Sequence, residues 1–139
     1  MNRRLSFALL LAFLARPSLS RAASKTDPAA RAAAIDWLQK IDTANYSGSW
    51  EAAAPMFKTA VSVQDWEKAA QSVRTPLGAL RKRVERSAVA KSTLPGARDG
   101  KYVVIEYDTV FENKVAAVET VTVSQDQDGP WRVAGYFIK

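Results

Sequence analysis

The sequence contains no cysteine and no histidine. Without cysteine there is no disulfide framework, no lipid-anchored cysteine and no thiolate nucleophile. Without histidine, the Ser-His-Asp and Cys-His arrangements and the usual zinc and iron ligand sets are excluded. A carboxylate metal site would need an acidic cluster with loop spacing, and none is present, so no cofactor is expected. The glycines are scattered, most of them at turns, and neither a phosphate loop nor a Gly-x-Ser-x-Gly elbow occurs. Lys91-Ser92 is the nearest approach to a Ser-Lys pair, but adjacent strand residues point to opposite faces. Long hydrophobic runs are also missing. The longest, Leu5 to Ala15, is eleven residues interrupted by Ser6, against the about 20 that a membrane-spanning helix needs.

That run fits the apolar centre of a signal peptide, which is about 7–15 residues long. Arg3 and Arg4 precede it, Pro17 ends it, and Ser20 with Ala22 places small residues where a signal peptidase needs them. We therefore expect cleavage after Ala22, with residues 1–22 a signal peptide and residues 23–139 one α+β domain. The pattern lacks a fuller twin-arginine motif and suits the general secretory route. A cysteine-free export product reads as bacterial, and periplasmic or secreted.

Removing the signal changes the charge argument. The whole chain is +6, but Arg3, Arg4, Arg16 and Arg21 depart with the signal, leaving 16 basic against 14 acidic side chains, a net +2. The sequence pI of about 9.8 is therefore no argument for nucleic acid or an anionic membrane. Nucleic acid is not expected as a partner, nor is a transmembrane span in the mature chain. The surviving cluster Arg81-Lys82-Arg83, with Arg74 and Arg86 nearby, reads as a solvated strand protected from aggregation.

Asp27-Pro28 reads as a helix cap followed by a first-turn proline. Ala30, Ala34, Trp37, Leu38 and Ile41 then recur on one face, predicting a helix from about Pro28 to Ala44. A second helical segment carries Trp50, Ala53, Ala54 and Phe57, and Pro55 must kink or divide it. Ser62 with Asp65 caps a third helix, which Thr75-Pro76-Leu77-Gly78 closes. The second half reads as strands: a weakly patterned one over Val84–Thr93, then Lys101–Glu112, Val115–Ser124 and Trp131–Ile138. Rows Val103, Ile105, Tyr107, Thr109, Phe111 and Val115, Ala117, Glu119, Val121, Val123 have the period of two that buries one face. Asp128-Gly129 marks the last hairpin. Helices followed by antiparallel strands make an α+β fold with N-terminal helices on one face of a four-stranded antiparallel sheet.

Several stretches recur together in one known family: Trp37-Leu38 with Ile41-Asp42, Tyr46-Ser47-Gly48-Ser49-Trp50, Arg74-Thr75-Pro76-Leu77-Gly78, Leu94-Pro95-Gly96 and Asp99-Gly100-Lys101-Tyr102. Glu119-Thr120-Val121-Thr122-Val123 and Asp128-Gly129-Pro130-Trp131-Arg132-Val133 complete the set. In this order they resemble the bacterial exported domain-of-unknown-function family 4019 over nearly all of the mature chain. The last hairpin, Asp-Gly-x-Trp followed by alternating apolar residues, is similar to the ending of NTF2-like/cystatin-like domains. That likeness implies a sheet curved around a cone-shaped pocket and names no activity.

Glu119 interrupts an apolar row and is the most informative acid. If Phe111 pairs with Val115, Glu119 lies beside Tyr107; a one-residue slip would set it against Asp108, a like-charge pair. Keeping the core face apolar selects the first register. Tyr107 and one of Arg74, Arg81 or Arg132 are then its candidate partners. Its functional reading is a general base or ligand-orienting carboxylate; its structural reading is a paired acid fixing sheet to helices. Arg132 and Tyr136 are expected to face outward, opposite Trp131, Val133 and Phe137, where they could join a partner surface or a homodimer through the sheet. Tyr46 and Trp50 are candidates for a ligand entrance. The thin catalytic repertoire favours a non-catalytic periplasmic module that binds a small apolar ligand or an envelope protein. The alternative is a cofactor-free enzyme of isomerase, dehydratase or hydrolase type using Glu119 and a tyrosine, which requires an open cavity at Glu119.

Overall fold

The computed structural model describes residues 26–127 and 129–139. The export signal with its cleavage point after Ala22, and Asp128 of the last turn, lie outside the described residues. The order is α1 (Pro28–Asp42), α2 (Tyr46–Ala52), α3 (Pro55–Ala60), α4 (Val63–Leu77), then β1 (Leu80–Lys91), β2 (Lys101–Phe111), β3 (Lys114–Gln125) and β4 (Trp131–Ile138). The strands form an antiparallel sheet in sequence order, β1-β2-β3-β4, and the fold is α+β. Among the described residues no helix is long and apolar enough to cross a membrane.

Local chemistry sets the helix starts. Asp27 Oδ1 accepts the Ala29 amide at 2.8 Å and Pro28 fills the first turn of α1. Ala30, Ala34, Trp37, Leu38 and Ile41 face inward, as their spacing predicts. The helix stops at Asp42, two residues short of the expectation, where Ala44 takes a positive φ of 60°. Pro55 divides the second segment: Ala53 and Ala54 are extended, and the Ala54 amide donates to the Val133 carbonyl of β4 at 2.8 Å. This bond ties the break between α2 and α3 to the outer strand β4. Ser62 Oγ accepts the Asp65 amide at 3.2 Å to start α4, which continues through Pro76 into its last turn.

Gly78 ends α4 at φ 74°, ψ −159°, a region that only glycine occupies without strain. A Cβ there would meet Glu112 Oε1 at 2.6 Å. The β2–β3 turn docks on this end of α4, with the Glu112 and Asn113 amides donating to Ala79 and Leu77 carbonyls. Gly78→Ala is expected to lower unfolding free energy by about 1–3 kcal/mol, measured by chemical denaturation.

The core joins Leu38, Ile41 and Trp37 of α1 and Phe57 of α3 to Val103, Ile105, Tyr107, Val121, Val123 and Val133 of the sheet. Tyr107 lies opposite Glu119 and Thr109 opposite Ala117, which is the register expected from hydrophobic parity. At the turn the pairing changes: Phe111 faces Lys114 rather than Val115, and Val115 is 74% exposed. The extra residue is taken up in β3, so Val115 leaves the apolar row.

Three further irregularities interrupt the alternation, the first between Leu80 and Lys82 at the start of β1. In β1 the register shifts between Glu85 and Ser87; Arg83 and Glu85 pair with inward-facing Thr109 and Tyr107, and beyond Arg86 the inward residues become Ala88 and Ala90. β1 also starts at Leu80 rather than at the expected Val84, and Arg81-Lys82-Arg83 lies inside it. In β4 Val133 pairs with Val123 and Gly135 with Thr122, making Ala134 the additional residue. Tyr136 therefore turns inward beside Val121, and Phe137 is 52% exposed. Both outcomes reverse the expectation of Phe137 in the core and Tyr136 outside.

Candidate functional site

Glu119 is fully buried, with 0% exposure. Its Oε1 accepts Arg83 Nε at 2.7 Å and the Thr109 hydroxyl at 2.6 Å. Its Oε2 accepts Arg83 Nη2 at 3.2 Å and the Tyr136 hydroxyl. The carboxylate is thus held by donors from β1, β2 and β4.

Arg83 continues the chain of charges. Its Nη1 and Nη2 donate to Asp42 Oδ2 and Oδ1 at 2.7 and 2.9 Å, and Arg74 Nη2 donates to Asp42 Oδ1 at 3.0 Å. The Arg74 guanidinium stacks over the Phe111 ring at 4.7 Å, a favourable use of its planar face. Two carboxylates and two guanidiniums alternate and cancel, tying α1, α4, β1 and β3 together. Such pairing is what a buried charge requires.

The electrostatic consequences follow from burial and neighbours. Burial alone would raise the Asp42 carboxyl, but hydrogen bonds and charge from Arg83, then from Arg74, hold it below the ordinary value. Burial opposes the charge on Arg83, yet its bonds to Asp42 and Glu119 raise its pKa. Tyr136 is raised by burial, then by the charge of Glu119 and its bond to it. Tyr107 is pushed up to about 12 by burial and next by the charge of Glu85.

The sequence candidates separate. Tyr107 is beside Glu119, as the register requires, but its buried hydroxyl makes no hydrogen bond among the described residues. Of the proposed arginine partners, Arg81 pairs with Glu112 at 2.9 Å, Arg74 with Asp42, and Arg132 is exposed. The partner is Arg83, which the basic cluster had suggested was solvated. Trp50 donates from Nε1 to the Val61 carbonyl at 2.8 Å, and the Tyr46 carbonyl accepts from Ser49 Oγ at 2.6 Å. Both rings pack against the core.

Sequence reasoning missed Asp42, Arg83 and Thr109 as partners of this network. A signal existed for two of the charges. Asp42 follows Ala34 and Leu38 at steps of four, and Arg74 follows Trp66 and Ala70 likewise, so each continues a buried helix stripe. For Arg83 the β1 irregularity hides the parity.

Two cavities lie elsewhere. The larger, about 460 Å³, opens where Thr26 and Asp27 meet the ends of β1, β2 and β4, and includes Tyr102, Val103 and Trp131 in its lining. The smaller, about 190 Å³, lies on the other side of Trp131 against α1 and has Arg132 at its wall. Glu119, Tyr107, Tyr46, Trp50 and Tyr136 line neither. Tyr107, the neighbour of Glu119, lies four positions along β2 from Val103, roughly 13 Å along a strand. Among the described residues no group of three or more carboxylates could hold a metal ion.

A comparison with curated proteins finds no match. A family model described as a protein of unknown function (DUF4019) matches residues 33–136, a span that takes in the ion network and both the Tyr102 and Trp131 walls of the larger cavity. The chain therefore belongs to the DUF4019 family.

Proposed function

We propose that this chain is an exported, non-catalytic binding module of the periplasm or extracellular space. The observation that carries this reading is the separation of charge chemistry from open space. Glu119, the best carboxylate candidate for catalysis, is 0% exposed and accepts from Arg83, Thr109 and Tyr136. The larger cavity has Asp27 as its carboxylate, and both of that residue's oxygens are engaged, by the Ala29 amide and the Trp131 indole. A general base needs a free lone pair within reach of a bound substrate; the four bonds that Glu119 accepts leave it none, while Asp27 is tied to the α1 cap and the Trp131 indole. Export rests on the Arg3-Arg4 start, the short apolar run and the Ser20, Ala22 spacing.

Native mass spectrometry of the protein isolated gently from the envelope of its own cells tests both parts. The expected mass begins at Ala23 and carries a small molecule that dissociates on activation. A cytoplasmic product retaining residues 1–22, or turnover of a copurified molecule that stops in Glu119→Gln, would overturn the reading.

A further inference from the structure

We propose that the face of the sheet turned away from the helices is the interface for a second copy of this chain. Val103, Ile105, Tyr107, Val121 and Val123 point into the core, so by alternation Val104, Glu106 and Asp108 of β2 point the other way. In the same three cross-strand rows, beyond Thr122, Thr120 and Val118 of β3, stand Gly135, Phe137 and Lys139. An antiparallel sheet commonly leaves this second face to water and makes it polar. Here it carries Phe137 at 52% exposure and, on β1, Val84 and Val89 at 49% and 48%.

Gly135 supplies an independent observation. The extra residue of β4 is Ala134, and the φ of Gly135 is not positive. A Cβ added there would meet only Thr122 Cβ, at an ordinary 3.9 Å. Neither conformation nor crowding within the chain calls for a glycine, and a glycine inside a strand marks close approach by another surface. The charges identify that surface as a second copy. β2 presents Glu106 and Asp108, loosely engaged by Arg86 at 3.9 and 3.8 Å, with the Asp108 side chain 64% exposed. Two strands away β4 presents Arg132 and Lys139, neither in an ion pair among the described residues. A two-fold axis along β3 sets β4 of one copy over β2 of the other. Lys139 of one copy then meets Asp108 of the other, and the branched Val104 enters the hollow over Gly135. Phe137 lies between these contacts, over Glu106, whose carboxylate is turned to Arg86. Three strands offer roughly 400 Å² of flat face per copy, the scale of a weak, reversible interface, so micromolar dissociation is expected.

Sedimentation velocity of the purified protein across a concentration series tests the interface. A monomer–dimer equilibrium with a midpoint of about 1–100 μM is expected. Asp108→Lys and Lys139→Glu should each weaken the dimer about tenfold, and the double variant Asp108→Lys/Lys139→Glu should restore it. Gly135→Val should weaken it at least tenfold without lowering the monomer's resistance to urea, because a branched residue suits a strand better than glycine. A wild-type protein that sediments as a monomer at about 500 μM would overturn the proposal. So would a dimer that Gly135→Val and both charge variants leave intact, or a double variant as weak as the single ones.

Discussion

Arg83→Met lowers the unfolding free energy by about 3–5 kcal/mol, the cost of stranding buried charges when one partner of a buried ion pair is removed. Arg83 is the shared donor to Asp42 and Glu119, at 2.7 Å to each, and Glu119 has no water to turn to at 0% exposure. Met preserves much of the side-chain volume, so the loss is electrostatic rather than a cavity effect. For a chain of this size the change lowers Tm by roughly 10–25 °C. Arg81→Met is the matched control. Its ion pair with Glu112 is 58% and 49% exposed at the two side chains, and such pairs contribute about 0–1 kcal/mol. Urea unfolding of both variants measures the contrast; equal, small losses would show that Arg83 is solvated in the folded protein.

Alkaline unfolding is the second large effect. Tyr107 is pushed up to about 12 and Tyr136 is raised further, whereas an unfolded tyrosine titrates near pH 10. Their neutral forms are favoured by folding, so the stability they contribute is fully present below about pH 10. It is lost as pH rises from there toward the folded values. For Tyr107 alone the two-unit difference amounts to about 2–3 kcal/mol by pH 12. Cooperative unfolding is therefore expected between about pH 10 and 12, with tyrosinate absorbance from these two residues appearing together with the loss of structure. Tyr136→Phe should flatten the alkaline decline while costing some stability at neutral pH, because Glu119 loses a donor. Tyrosinate signal from Tyr107 and Tyr136 in the still-folded protein would contradict the account. On the acid side the sign reverses. The lowered Asp42 carboxyl contributes stability above its unfolded value, lost only as pH falls through the folded pKa, below about pH 4.

The elements with complete local signals were legible in the sequence. The Asp27-Pro28 and Ser62-Asp65 starts gave α1 and α4, and strict period two gave β2 and most of β3. The placement of Glu119 beside Tyr107 followed from parity, because a one-residue slip would have exposed the whole row. What sequence could not supply were the extra residues at Arg86 and Ala134. An irregularity of this kind inverts every side chain beyond it, and neither position carries a glycine or turn dipeptide that announces it. Gly135 adjoins the second and was the one available hint. Arg83 and Tyr136 were consequently read as surface residues when they are the donors that hold Glu119. A like-charged run such as Arg81-Lys82-Arg83 masks its own inward member, since alternation within a strand leaves no compositional trace of which residue faces the core.

The network also explains why helices and sheet keep one arrangement. Its four charges come from α1, α4, β1 and β3, and a displaced strand or helix would leave at least one of them unpaired in the interior. Hydrophobic residues of similar volume could match its stability, so its contribution lies in fixing register as much as in adding free energy.

Glu119→Gln tests the central claim, that the buried acid is structural, most directly. Paired measurements of chemical denaturation and of the retained or added ligand should be made on the wild type and the variant. A stability loss of about 2–4 kcal/mol with ligand affinity unchanged within twofold, under conditions where both are folded, is the predicted result. A variant as stable as the wild type that has lost binding or turnover would contradict it and return Glu119 to a working site.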